Sequence, residues 1–299
     1  MCSSDLETLS TAAALGFLRR QLAQWPMAAA NFEALKRVET RTMECRGRNF
    51  AVQHNPARIA STGAKVADGK AGPRPCFLCK ANRPAEQLSF WLDHGYELLV
   101  NPFPIFPVHF TIPALDHTPQ QLISCGRAER MAHMAEFAMN LPGLALFYNG
   151  ARCGASAPDH FHFQAVEASR MPLLDWATDG RQLPFKVINF SATAAEAEAK
   201  LLEAIAPLPR RTGGDEPDIN VICRADGISG GVQICVIPRK AHRPDFFGSA
   251  EGQILVSPAS VDLAGTIILP RPEDFHTAFT PERLKALLAQ TVFPPCANI

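Results

Sequence analysis

The residues best suited to chemistry lie between Asn149 and Glu167. A turn of small residues (Gly150, Ala151, Gly154, Ala155, Ser156, Ala157) runs into Asp159-His160-Phe161-His162-Phe163-Gln164-Ala165. On a β-strand, side chains alternate between faces. His160, His162 and Gln164 then share one face, and Phe161 and Phe163 take the other. Three polar side chains in line on a strand rich in aromatics predict a functional site. Either histidine is a candidate metal ligand or catalyst.

A second signal is Pro75-Cys76-Phe77-Leu78-Cys79-Lys80. Cys-x-x-Cys puts two thiolates on one tight turn, which is half of a tetrahedral zinc site. The redox reading of the same spacing expects a thioredoxin-like strand before it and a helix after it. Here a Gly/Pro-containing loop precedes it and Asn82-Arg83-Pro84 follows, so metal binding is favoured over redox chemistry and over chance. The polar loop from Gln53 to Lys65 carries Arg58 and Lys65. Both are either solvated charges or anion contacts. Arg239-Lys240-Ala241-His242-Arg243 is a cationic knot with the same two readings.

The whole chain limits the classes of function. It has 299 residues, 47% hydrophobic and 19% charged, with a formal net charge of zero. That balance points to no nucleic-acid surface or membrane-bound basic face, and leaves room for a local basic patch such as a phosphate-handling site wants. No apolar run reaches the roughly 20 residues of a membrane span. The start of the chain lacks the basic region of a secretory signal, so a cytoplasmic protein is expected. Nine cysteines, an odd number, fit reduced thiols better than a disulfide framework. Cys2, Cys45, Cys125, Cys223, Cys235 and Cys296 have no partner spacing and are expected to be small buried hydrophobes.

These residues need elements to position them. Residues 8–38 predict a helix broken at Pro26, with Asn31 capping a second piece. Residues 41–53 are strand or irregular. Strands are expected at 88–92, 97–101 and 107–112. A helix is expected to start at Thr118-Pro119, a good N-cap followed by a good first-turn residue, and to run to Asn140. The short strand 144–148 leads into the candidate site. Later come a strand at 185–190, a helix at 193–206, a hairpin of 218–224 with 232–238, strands at 253–256 and 266–269, and a closing helix at 271–288. Hairpin-linked strands between single helices predict an α+β fold with antiparallel sheets and flanking helices.

The motifs also carry a resemblance. His160-Phe161-His162-Phe163-Gln164 after Gly154-Ala155-Ser156 resembles the His-x-His-x-Gln signature of the transferase branch of the histidine-triad superfamily. That branch holds galactose-1-phosphate uridylyltransferase, GDP-hexose phosphorylases and diadenosine tetraphosphate phosphorylase, and the wording of the motif is most similar to the GDP-hexose phosphorylases. Asn149-Gly150, the order Cys76, Cys79, His117, His160, the run Asn101-Pro102-Phe103-Pro104 and Ser257-Pro258-Ala259 with Asp262 extend the resemblance. It implies two histidine-triad-like halves: N-terminal helices and a substrate-side loop at 1–75, a catalytic half at 76–182 and a non-catalytic half at 183–299.

It implies His162 as nucleophile, forming a nucleotidyl-histidine intermediate, with Gln164 and Ser156 at the transferred phosphoryl group. Asn149, Gly154, Ala155, Arg58 and Lys65 would bind substrate. Cys76, Cys79, His117 and His160 would hold a structural zinc. The substrate would be a nucleotide or nucleotide sugar, GDP-hexose favoured, with phosphate or a sugar phosphate as acceptor, in a monomer or homodimer. Phe161 and Phe163 stand where the uridylyltransferase has Pro and Gly, which argues against galactose uridylylation. Gln164 in place of a third histidine argues for transfer over hydrolysis. The competing readings are a dinucleoside polyphosphate phosphorylase or hydrolase of the same superfamily, and a non-enzymatic zinc-stabilised nucleotide-binding module.

Overall fold

Paired strands with apolar residues on both faces, helices on one side and a small sheet on the other make up the chain. The computed structural model describes residues 8–63, 66–67, 70–71, 74–212, 214–227 and 230–295. Helix α1 (Thr11–Gln24) is capped by Ser10, whose side chain accepts from the Ala13 N–H. Helix α2 (Pro26–Ala34) begins at Pro26, not at Asn31. Proline at the first helical position loses no hydrogen bond and arrives with a helical φ. Asn31 lies inside α2 and donates to the Pro102 carbonyl at 2.8 Å instead of capping.

Strands β1 (Glu39–Cys45) and β2 (Arg48–His54) form a hairpin through Arg46 and Gly47, both at positive φ (52° and 73°), as a tight two-residue turn requires. The short pieces α3 (Ile59–Thr62), β3 (Val66–Ala67) and β4 (Lys70–Ala71) follow. Then come β5 (Phe90–Leu92), β6 (Tyr96–Val100) and β7 (His109–Pro113).

Helix α4 spans Glu129–Asn140, eleven residues later than Thr118. The expected cap at Thr118-Pro119 is overridden because its backbone is committed elsewhere. The Phe161 N–H donates to the Thr118 carbonyl at 2.7 Å. The Leu122 and Ile123 N–H groups donate to one Glu216 oxygen at 2.6 and 2.9 Å. Residues 118–128 are therefore a strap laid over the sheet.

Strands β8 (Leu144–Asn149) and β9 (His162–Glu167) follow, then α5 (Leu173–Trp176), β10 (Ile188–Ala192) and α6 (Ala194–Ile205). Thr193 and Glu196 close a capping box on α6. Strands β11 (Ile219–Asp226) and β12 (Gly231–Pro238) pair as a hairpin. Residues 253–256 make only an isolated bridge, Phe247 with Ile254, and no strand. After α7 (Ser260–Leu263) and β13 (Thr266–Leu269), the expected closing helix is split into a π-turn, Asp274–Ala278, and α8 (Pro281–Thr291). Thr280 caps α8 and Pro281 opens it, so a second start signal interrupts the first.

The large sheet runs β10-β12-β11-β8-β9-β7-β6-β5. All seven strand pairings in it are antiparallel. The small sheet is β1-β2-β13, with β13 parallel to β2. The fold is α+β with antiparallel sheets and flanking helices, as the sequence predicts. In each half of the large sheet a helix precedes two antiparallel neighbours: α4 before β8 and β9, α6 before β11 and β12. The β8–β11 pairing joins the halves into one sheet.

Alternation along the strands sorts the core into two layers. Leu146, Tyr148, Phe161, Phe163 and Val221 pack against Met131, Met134 and Phe137 of α4 and Leu201 of α6. Phe147, Val166, Ile222 and Ile237 face the other way, against Phe50 and Val52 of β2, Ile267 of β13 and Leu284 of α8. Met131 and Met134 are fully buried core residues. Cys45, Cys223 and Cys235 are buried as expected, whereas Cys125 is exposed on the strap. Cys2 and Cys296 lie outside the described residues. Among the described residues no helix is long and apolar enough to cross a membrane.

Arg48, 2% exposed, ties the small sheet to the 176–182 loop. It holds Asp179 with two bonds, of 2.6 and 2.9 Å, and donates to the carbonyl of Arg181 at 2.8 Å. Its guanidinium also lies over the Trp176 ring. Arg48→Ala removes these charge-assisted bonds and leaves buried carbonyls without donors. The expected loss of unfolding free energy in urea is roughly 3 kcal/mol.

Candidate functional site

The polar residues of β8, β9 and β11 fall on the face turned toward the small sheet. Between the two sheets lies a cleft, lined by Asn149, Gly154, Ser156 and Gln164 on one side. Arg58, Ser257, Asp262 and Ile268 line the other side. Ala155 is buried and is not part of that lining. Gly154 sits at φ +99°, and a Cβ there would lie 2.5 Å from the Ala259 Cβ. Only glycine lets the small-residue turn approach the 258–259 segment this closely.

His162 opens β9 and is 3% exposed. Its Nδ1 lies 2.8 Å from the His160 carbonyl. A carbonyl only accepts, so Nδ1 carries the proton and Nε2 keeps the lone pair. Among the described residues no hydrogen bond occupies Nε2, and it is not sealed from solvent. Burial pushes the imidazole down to about 4, so it is neutral at pH 7.

Two amides line the cleft, the buried Asn149 and the half-buried Gln164, and the protein dictates which end each presents. The Oδ1 of Asn149 accepts from Asn220 Nδ2 at 2.8 Å and from the Ser260 N–H at 2.9 Å. Asn220 can only donate there, because its own Oδ1 accepts from Arg239 Nη1 at 2.7 Å. Gln164 is set in the same way. The Ile105 N–H donates to Nδ1 of His109 at 3.1 Å, so His109 Nε2 carries the proton and donates to Gln164 Oε1 at 2.9 Å. Burial holds His109 down to about 3, which keeps that tautomer neutral. With both oxygens occupied, Asn149 and Gln164 are left with NH2 donors for a ligand. Ser156 adds a hydroxyl at the same edge.

Gln120 holds the two central strands where their ladder stops. Its Oε1 accepts from the His162 N–H at 2.8 Å. Its Nε2 donates to the carbonyls of Asn149 and His162 at 2.9 and 3.0 Å. The strap carrying Gln120 is pinned in turn by Glu216, which also accepts from the Tyr148 hydroxyl at 2.6 Å.

The cationic residues divide. Arg58 lines the cleft and donates to the Phe103 carbonyl at 2.7 Å. Burial lowers its guanidinium to about 10 against the opposing pull of Asp262, and it stays charged at pH 7. Lys65 lies outside the described residues. Arg239 is 4% exposed and is neither solvated nor at a ligand. It donates to Asn220, Pro258, Thr291, Ala241 and His242. Arg243 donates to the cleft residue Ser257 at 3.0 Å.

His160 does not share the strand with His162. It lies in the turn just before β9 and turns to the Cys-x-x-Cys segment. Its Nδ1 is 3.4 Å from Cys76 Sγ and 3.5 Å from Cys79 Sγ, and His117 Nδ1 is 3.2 Å from Cys79 Sγ. The donor atoms of Cys76, Cys79, His117 and His160 all lie within 4.8 Å of one another. Tetrahedral zinc with ordinary bond lengths separates sulfur from nitrogen by about 3.5 Å. His160 Nε2 donates to the Ala114 carbonyl at 2.8 Å, which fixes the tautomer with Nδ1 free to ligate. The residues present fit a divalent metal with an S2N2 donor set.

Sequence reasoning missed His109, Gln120, Asn220 and Ser260. Each of the first three is a polar residue in or beside an apolar run, and that is the only signal they give. Their bonds to Asn149, His162 and Gln164 span 29 to 111 residues.

A family model described as a domain of unknown function (DUF4922) matches residues 17–167, 151 of the 299. No curated protein matches the chain in sequence. In three dimensions the chain is similar to yeast Ap4A phosphorylase Apa2, with a TM-score of 0.56 and 18% identity over 91% of this chain and 98% of that one. Apa2 bound to AMP gives 0.56 and 18% over 93% of this chain, and Apa2 bound to Ap4A gives 0.57 and 18% over 91%. The two proteins share a fold.

Gln120→Ala leaves the His162 N–H and two strand carbonyls without partners in a buried place. The variant is expected to lose about 3 kcal/mol or more of stability in denaturant titration. Gln120→Glu, which keeps the acceptor but loses the donors, is expected to lose part of it.

Proposed function

The chain belongs to the family described as a domain of unknown function (DUF4922), and we propose that it is a phosphorylase-type nucleotidyltransferase of the histidine-triad superfamily. One observation carries the reading: a buried, neutral His162 with Nδ1 tied to a carbonyl and Nε2 free, beside two amides whose NH2 ends are left to the cleft. That is a nucleophile next to an oxyanion cradle.

The chemistry follows from the atoms. The Nε2 lone pair of His162 attacks the α-phosphorus of the nucleotide. A P–N bond forms, and the P–O bond to the remaining phosphate chain breaks. Gln164, Asn149 and Ser156 donate to the phosphoryl oxygens as charge builds there, and Arg58 faces the same anion from the opposite wall. Inorganic phosphate then attacks the same phosphorus. The P–N bond breaks, His162 is regenerated, and a nucleoside diphosphate leaves. Gly154 and Ala155 hold the turn that brings Ser156 to the cleft.

The leading substrate class is a dinucleoside polyphosphate, since the fold is shared with a phosphorylase of Ap4A. A nucleoside-diphosphate hexose, GDP-hexose first, is the second class, and the wording of the His160–Ala165 segment supports it. This reading gives residues 76–182 the chemistry. Residues 1–75 contribute Arg58, and residues 183–299 contribute Asn220 and Ser260.

Cys76, Cys79, His117 and His160 are proposed to hold zinc. Closed by two thiolates and two imidazoles, it supplies rigidity to the turn that leads into His162.

Incubation with labelled diadenosine polyphosphates and GDP-, UDP- and ADP-hexoses, quenched at high pH, is expected to leave label on His162. Adding phosphate should discharge it as nucleoside diphosphate. His162→Ala should show no label and no turnover at unchanged stability, and wild type left unlabelled by every substrate defeats the mechanism. Metal analysis of Cys76→Ser is expected to show one zinc equivalent fewer than wild type. A wild-type protein without zinc refutes the metal assignment.

A further inference from the structure

A second group of donor atoms lies on the small sheet, away from the cysteines. Glu39 opens β1 and His54 closes β2, and the two are direct cross-strand partners. His276 comes from the π-turn 274–278 that packs beside them. The three side chains point their donor atoms at one another, all within 4.8 Å. Glu39 Oε1 is 3.7 Å from His54 Nδ1 and 3.7 Å from His276 Nε2.

Those separations are too long for hydrogen bonds. They are close to the span across a bound ion. A tetrahedral metal with bonds of about 2.0–2.2 Å sets its ligand atoms about 3.3–3.6 Å apart.

His54 adds an independent observation. Its side chain is 14% exposed. Its Nε2 is buried with no hydrogen-bond partner among the described residues. Its Nδ1 has only the distant carboxylate. A largely buried imidazole without a hydrogen bond on either nitrogen is uncommon. Its ring is otherwise held by stacking on Phe275 at 5.7 Å. The imidazole is fixed in place with its one accessible nitrogen aimed at a gap. His276 sits in a π-turn, an irregularity often found at functional sites. Arg41, next on the same face of β1, is turned to the Phe275 ring and the Phe279 carbonyl.

We propose that Glu39, His54 and His276 form a second metal site, for a divalent first-row transition ion such as Zn2+ or Ni2+. Two imidazoles and one carboxylate are the donors such ions take, and water completes the shell. Exposure of Glu39 and His276 at 56% and 50% makes the site exchangeable, unlike the cysteine site. The ion clips the start of β1 and the end of β2 to the turn before α8. Four residues past His54 stands Arg58 of the cleft, so occupancy stiffens the segment that delivers it.

The test uses full-length protein as purified, titrated with Zn2+ and separately with Ni2+ by calorimetry, with a thermal melt at each end point. Wild type is expected to take up one exchangeable equivalent and to melt higher when loaded. His276→Ala and Glu39→Gln change exposed residues and should fold normally, with that equivalent lost or weakened at least tenfold and the thermal gain gone. Cys76→Ser should keep it. The proposal is overturned if wild type takes up no exchangeable equivalent, or if either surface variant binds like wild type.

Discussion

Everything at the site depends on how the two central strands of the large sheet part company. The β8–β9 ladder ends at Phe147 opposite Gln164, and beyond it the strands diverge toward Asn149 and His162. Diverging strands leave buried N–H and C=O groups without ladder partners. Gln120 replaces the missing rungs, bonding to both strands at once. The strap that brings Gln120 is held by Glu216 from the other half of the chain, which accepts two of its N–H groups and the Tyr148 hydroxyl.

The same logic sets the polarity of the cleft. An amide side chain can present a donor or an acceptor, and the two ends have nearly the same shape. At Asn149 and Gln164 the choice is made by donors that cannot act otherwise: the guanidinium of Arg239, acting through Asn220, and the backbone N–H of Ile105, acting through His109. Both amides are left with their N–H ends free, which suits an anion. Asn220 and Arg239, from the second half of the chain, thus set the orientation of an amide in the cleft lining.

Much of this was legible in the chain itself. The alternation at 160–164 set Phe161 and Phe163 on one face and His160, His162 and Gln164 on the other, and the structure keeps this for all but His160, which lies before β9. Cys76-x-x-Cys79 marked half of a donor set. The paired strands and the helix at 193–206 announced an α+β fold. The errors share one cause. Thr118-Pro119 has the chemistry of a helix start, yet Glu216 and Phe161 compete for the same backbone and win. Asn31 has the chemistry of a cap, yet Pro26 starts the helix earlier and Pro102 takes the Asn31 side chain. The segment 271–288 reads as one helix until Thr280-Pro281 restarts it.

The sequence by itself determined which side chains can do chemistry, since residue type and spacing two apart are local properties. Only the tertiary structure decided what each one touches. His160 leaves the strand and turns to the cysteines, and His162 stays in the strand with its Nε2 free. Arg239, which reads as a surface charge, is a buried anchor. These outcomes rest on hydrogen bonds between residues tens of positions apart, and no local pattern encodes which distant donor will reach a given oxygen.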